Sequence, residues 1–150
     1  MSGENDLINL YSGRILALAA DIPHLGHLEA PMASVKKRSP LCGSAVTVEL
    51  NVEAGRVTDF AQDVKACALG QAAAAVTGGA IIGCSLSDLE CARDQLRAML
   101  KDDGMVPATP FEGFEVLQPA RDYKNRHASI LLSIEAACEA MEQALQADCA

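Results

Sequence analysis

The stretch Val46-Thr-Val-Glu-Leu-Asn-Val-Glu53 alternates apolar and polar side chains along its whole length. A period of two predicts a β-strand with one face on the core and the other in water. Ala54-Gly55 then predicts a turn, and Arg56–Val64 predicts a second strand. A third extended segment precedes them at 33–37. Three short strands so close in sequence favour a small antiparallel sheet.

Helical patterns flank these strands on both sides. An amphipathic pattern over 5–20 predicts a first helix, and a second helix begins near Cys67. A third is capped by Ser85 or Ser87 and runs to about Leu100, and a last one begins near Ala128. Residues 101–119 are rich in Gly and Pro and predict a loop. The order α-β-β-β-α-α-α predicts one α+β domain over 1–150, with a three-stranded antiparallel sheet packed against helices.

Charge and length exclude several classes of function. The chain has 150 residues, 12 Lys and Arg against 20 Asp and Glu, and a formal net charge of −8. Such a balance disfavours binding to nucleic acid or to an anionic membrane surface, since both would be repelled. No window approaches the roughly 18 apolar residues of a membrane span. The start of the sequence lacks the basic and apolar regions of a secretory signal, so we expect a cytoplasmic protein.

Six cysteines occur without a Cys-x-x-Cys pair. In a reducing compartment such thiols are buried, metal-binding or reactive more often than bridged. Cys84, Cys91 and Cys138 are expected in the core. Cys42 lies in a predicted turn and Cys67 at a strand-to-helix switch, where backbone N–H groups stabilise a thiolate. These two are the candidate site cysteines.

His127 is the third candidate. It stands at the predicted start of the last helix, where the positive end of the dipole favours the neutral imidazole that a metal requires. A lone histidine at such a position is more often a surface or capping residue. The residues alone leave both readings open.

Three segments resemble the IscU/NifU-like scaffolds of iron–sulfur cluster assembly: Ser39-Pro-Leu-Cys-Gly-Ser44, Val64-Lys-Ala-Cys-Ala-Leu-Gly-Gln-Ala72 and Arg126-His-Ala-Ser-Ile-Leu131. In that family the corresponding segments converge on one metal site. The long spacing between Cys67 and the last helix is similar to the SUF-associated branch. The resemblance implies Cys42, Cys67 and His127 as ligands, and a cysteine desulfurase and other iron–sulfur assembly proteins as partners.

The chain departs from the family pattern at two positions. Ala128 stands where the family has its third cysteine, and Ser44 where it has an aspartate. Two thiolates and one imidazole suit zinc with one open position, whereas a cluster usually takes four ligands, mostly thiolates. The expected function is therefore a scaffold-like protein, not evidently an enzyme, that binds iron, a labile [2Fe–2S] cluster or zinc. The alternatives are a zinc-poised persulfide acceptor and a regulatory binding module that lacks a complete site.

Overall fold

The computed structural model describes residues 13–39 and 43–149, with side chains as far as Ala147. In chain order the elements are α1 Gly13–Ala20, β1 Ala33–Arg38, β2 Ala45–Glu53, β3 Arg56–Lys65, α2 Ala68–Ala80, α3 Leu86–Lys101, a 3₁₀ helix Glu112–Asp122 and α4 Lys124–Cys149. This order confirms the predicted α+β arrangement. The predicted first helix lies partly outside the described residues, which contain its second half.

The sheet has the order β1-β2-β3 and is antiparallel throughout. Val35 pairs with Val48, and Leu50 pairs with Phe60. Val48 and Leu50 are fully buried, whereas Thr47, Glu49 and Asn51, which alternate with them, are partly exposed. The alternation that predicted β2 therefore corresponds to one face on the core, as expected for a sheet covered by helices on one side.

A two-residue turn joins β2 to β3. Ala54 has a φ of 53° and Gly55 a φ of 77°. Positive φ at both central positions is the type I′ geometry, whose twist matches that of the flanking strands. Glycine takes this conformation readily, but a residue with a Cβ does so at a steric cost.

The helices build the core against the sheet. α4 packs on β1 and β2, while α2 packs on β3 and lies between α1 and α4. The largest fully buried side chains come from nearly every element. They include Ile15 of α1, Leu69 of α2, Met99 of α3 and Ile130 of α4. No helix in the part of the chain that the structure describes has the length and hydropathy needed to cross a membrane.

Glycine at position 78 allows α2 to approach β3 closely. A Cβ there would lie 2.6 Å from Nε2 of Gln62 and 3.2 Å from the carbonyl oxygen of Pro23. The Gln62 amide donates to the carbonyls of Pro23 and Ala74, at 3.0 and 3.1 Å. The helix continues to Ala80, so Gly78 serves this close approach and does not end the helix.

The structure refines several predicted helix boundaries and corrects one prediction of burial. Ser85, not Ser87, caps α3, in a capping box with Asp88. α4 begins at Lys124, four residues before the predicted start, and the predicted loop carries a 3₁₀ helix. The prediction that Cys91 lies in the core was wrong, because it is exposed on α3; Cys84 and Cys138 are buried as predicted.

Candidate functional site

Cys67 stands where β3 gives way to α2. Its backbone is extended, with φ −66° and ψ 171°, and it occupies the N-cap position of the helix. Its carbonyl accepts the first helical hydrogen bond from the N–H of Gln71, at 2.9 Å. The thiol itself caps no backbone group and is half-buried. The sequence prediction of a cysteine at a helix start is confirmed.

Two serine hydroxyls form a series of contacts that leads from this thiol into the protein interior. The sulfur of Cys67 lies 3.6 Å from Oγ of Ser129 in α4, and that oxygen lies 3.1 Å from Oγ of Ser44. Both serines are almost fully buried. Gly70, one turn into α2, makes room for this contact, because a Cβ there would lie 2.6 Å from the Ser129 hydroxyl.

Cys42 itself lies outside the described residues. The described residues that flank it contact each other: the N–H of Ser39 donates to the carbonyl of Ser44 at 2.8 Å, and the N–H of Gly43 donates to the carbonyl of Ser39 at 3.1 Å. The end of β1 and the start of β2 therefore lie close together at one end of the sheet. Ser44, just before β2, contacts Ser129.

His127 lies in the first turn of α4 and is buried. Its Nε2 atom is 3.1 Å from the carbonyl oxygen of Ala120 and 3.0 Å from that of Arg121. Carbonyls only accept, so Nε2 carries the proton, and in the neutral ring the lone pair is on Nδ1.

The side chains of His127 and Ser129 project from different sides of α4. Two residues along an α-helix differ by about 200° around the axis. Ser129 contacts Cys67, while the ring of His127 contacts the backbone of the 3₁₀ helix. The described residues thus bring Cys67 together with two serines and hold the histidine ring against a different neighbour. Within 13–39 and 43–149 no three His, Cys, Asp or Glu side chains form a group able to hold a metal ion.

Sequence reasoning noticed Ser44 as a replacement but missed Ser129. A signal was present, since Ser129 and Ser133 are polar residues four apart in an otherwise apolar stretch of the last helix. Residues at this spacing share one face of a helix. In the structure that face meets α2, where Oγ of Ser133 lies 3.0 Å from Oγ1 of Thr77.

Two other cysteines, Cys84 and Cys138, are buried in the core. Burial raises the pKa of Cys138 to about 12, and Arg93 opposes this only in part. Burial also raises the pKa of Cys84, with the Asp88 carboxylate adding to the effect. Both thiols stay protonated at neutral pH and are unsuited to ligate a metal or accept sulfur.

The chain is similar to a known protein family and to solved structures. The family model described as the NifU-like N terminal domain matches residues 10–128. The N-terminal part of a nitrogen-fixing NifU-like protein from Brucella abortus is similar, with a TM-score of 0.91 and 42% identity over 94% of this chain and 98% of that chain. No curated protein matches the chain.

Two more distant structures share the fold. A putative iron–sulfur cluster assembly scaffold protein for the SUF system from Fervidobacterium islandicum AW-1 has a TM-score of 0.79 and 18% identity, over 89% of this chain and 98% of that chain. A hypothetical protein has a TM-score of 0.77 and 20% identity, over 90% and 98%. The family match, which spans well over half of the sequence, shows that the chain belongs to the NifU-like N-terminal domain family.

Proposed function

We propose that this chain, as one domain over 1–150, is a scaffold-like protein of iron–sulfur cluster assembly. Its cargo is iron or a labile [2Fe–2S] cluster, or alternatively zinc, and its ligands are Cys42, Cys67 and His127. Its partners are a cysteine desulfurase and other assembly proteins. Membership of the NifU-like family supports the process, and the half-buried thiol of Cys67 at the start of α2 is the observation that carries the site.

Chain connectivity supports the pairing of Cys42 with Cys67. Ser44 is separated from Cys42 by one residue, and two residues of extended chain span about 7 Å at most. Ser44 contacts Ser129, which contacts Cys67. Chain length thus keeps the Cα of Cys42 within about 7 Å of the Cα of Ser44, which is joined through Ser129 to the other candidate thiol.

The donor set suits a weakly held cargo. Two thiolates and one imidazole leave an open position on a tetrahedral metal, which a partner or a small thiol can fill. Clusters are usually held by four ligands, mostly thiolates, and hydrogen bonds to sulfur adjust their properties. With Ala128 in place of a third thiol, the site favours transfer over permanent retention. The Ser129 hydroxyl beside Cys67 is placed to donate such a hydrogen bond.

We take His127 to join this site through a rearrangement of the first turn of α4, because a turn of the ring alone does not bring it across the helix to Ser129 and Cys67. The two carbonyl contacts of Nε2 are then given up, at a cost of about 1 kcal/mol for each hydrogen bond. Loading is thereby coupled to the junction of the 3₁₀ helix and α4. A cost of this kind also favours release.

Metal and sulfide content after anaerobic reconstitution tests the proposal. Wild type is expected to retain iron with visible-range absorbance, or zinc when purified in air, while Cys42→Ala and Cys67→Ala lose it. The control is Cys91→Ala, which removes an exposed thiol on α3 and should leave the content unchanged. Retention of metal by both site variants, or no metal in wild type, would refute the site. The second result would favour a regulatory module without cargo.

A second function, acceptance of persulfide sulfur from a cysteine desulfurase, is favoured by the partial exposure of Cys67. In this step the Cys67 thiolate attacks the outer sulfur of the desulfurase persulfide, the S–S bond of that persulfide breaks, and the desulfurase cysteine leaves as a thiolate. The attack requires that the sulfur of Cys67 be reachable. Incubation with a desulfurase and cysteine should then add one sulfur atom to Cys67, seen by peptide mass spectrometry. Unmodified Cys67, with no change in desulfurase turnover, would exclude this function.

A further inference from the structure

A cleft with a basic lining opens beside the start of α4, next to the ring of His127. It has a volume of about 300 Å³ and is lined by Leu100, Lys101, Arg121, Lys124 and His127. Three cationic side chains around one cleft are unexpected in a chain with a net charge of −8. The cleft contains none of the cysteines.

The two lysines are not neutralised locally. Neither Lys101 nor Lys124 forms an ion pair with any residue in the described ranges. Arg121 is paired with Asp103 and still lines the cleft. Both ammonium groups therefore remain available to a ligand.

The helix end adds to the positive potential. The first turn of α4 contains no acidic residue and begins with Lys124. A cation at a helix N-terminus opposes the dipole, whose positive end already attracts anions. Local conflict of this kind in an otherwise consistent sequence is typical of functional positions.

Nearby carboxylates restrict what the cleft accepts. Asp103 and Asp122 line an adjoining cleft of about 320 Å³ together with Lys101 and Arg121. An extended polyanion such as nucleic acid would meet these carboxylates and the negative charge of the whole chain. Neither carboxylate lines the cleft formed with Lys124 and His127, so a compact anion can bind there without contacting them.

We propose that this cleft binds a small anion through one phosphate or carboxylate group, contacted by Lys101, Lys124 and Arg121. His127 forms part of the wall, and its Nε2 proton is already donated to backbone carbonyls. A volume near 300 Å³ is at the lower end of small-molecule sites, which suits a ligand the size of phosphate or citrate. The cleft shares His127 with the proposed cargo site, but the three cationic residues that contact the anion are not ligands of that site.

Isothermal titration with inorganic phosphate and, separately, with citrate tests this at constant ionic strength. We expect at least one of them to bind wild type, and the Lys101→Gln/Lys124→Gln variant to lose at least tenfold in affinity. The matched control, Lys36→Gln/Arg38→Gln, removes the same charge from exposed positions on β1 and should bind as wild type does. The preferred anion distinguishes a phosphate ligand from a carboxylate ligand.

Amide chemical shifts of wild type give a second measurement that needs no variant. Addition of the bound anion should shift resonances at 100–101 and 121–127 and leave those of β1 unchanged. The proposal is overturned if neither anion binds, if the lysine variant binds as tightly as wild type, or if the β1 control loses as much affinity.

Discussion

The thiol sulfur of Cys67 and the hydroxyl oxygen of Ser129 lie 3.6 Å apart, across the junction between α2 and α4. Ser129 also contacts Ser44, so three distant segments meet at one buried point. Any change in the packing of α2 against α4 therefore reaches the candidate site.

Replacement of Ser129 by alanine should slow alkylation of Cys67. The hydroxyl is placed to donate to the sulfur as the thiolate forms, and its loss removes that stabilisation. The free energy of unfolding should fall by about 1 kcal/mol through the lost buried hydrogen bonds. Iodoacetamide labelling followed by peptide mass spectrometry should show a several-fold slower rate at Cys67.

Ser133→Ala is the matched control for this prediction. It removes an equally buried hydroxyl one turn further along α4, where the partner is Thr77. A similar loss of stability with an unchanged alkylation rate at Cys67 is expected. Equal alkylation rates in both variants would show that Ser129 has no influence on the thiol.

A methyl group at position 70 should destabilise the fold. In Gly70→Ala the new Cβ would lie 2.6 Å from the Ser129 hydroxyl and 2.8 Å from Cβ of Ala66. Overpacking of this kind costs about 1–3 kcal/mol. Urea unfolding should show the loss. Gly13→Ala, in α1, places its Cβ more than 4 Å from the atoms of the described residues and should be neutral or stabilising by up to about 1 kcal/mol. Equal effects at both positions would contradict the packing argument.

A substitution in the turn between β2 and β3 should stabilise the protein. Ala54 has a φ of 53° and is followed by Gly55. Asparagine adopts positive φ at less cost than alanine, and Asn-Gly is the preferred pair in a type I′ turn. Ala54→Asn should therefore raise the free energy of unfolding by about 0.5–1 kcal/mol. Ala54→Val, which is β-branched, should lower it, and the reverse order in thermal unfolding would disprove the turn assignment.

Stability should fall in alkaline solution partly because of Cys138. Its folded-state pKa is raised from 9.0 to about 12, chiefly by burial. Between these two values the thiol of the unfolded chain binds fewer protons than that of the native chain. The contribution of Cys138 to the free energy of unfolding is therefore fully present below pH 9 and is lost as the pH rises toward 12. Urea unfolding from pH 8 to 11 should show a shallower decline in Cys138→Ala than in wild type. The exposed-cysteine variant Cys91→Ala should keep the wild-type slope, and parallel curves for all three proteins would refute the prediction.

The elements could be predicted because their signals are local. Alternation at 46–53 identified β2. The start of α3 was narrowed to two possible caps, Ser85 and Ser87, of which Ser85 is the one observed. The start of α4 was placed four residues late, because Lys124-Asn-Arg-His127 carries cations where the dipole favours acids. Cys91 was misplaced because apolar character alone does not say which face of a helix meets the core.

The candidate site was only partly predictable. Cys67 could be found from its position at a helix start. Ser129 could not be linked to it, since it is 62 positions further along the sequence and the intervening residues do not show which helix faces meet. The basic cleft could not be predicted either, because Lys101, Arg121 and Lys124 belong to three separate elements.

By itself, the sequence determined the order of strands and helices, the half-buried sheet and the presence of a thiol at the start of α2, since each depends on residues within a few positions of one another. Only the tertiary structure decided that Ser129 faces this thiol while His127, two residues earlier, turns to the 3₁₀ helix. The physical reason is the rotation of about 200° between such residues, which has no meaning until neighbouring helices occupy each side.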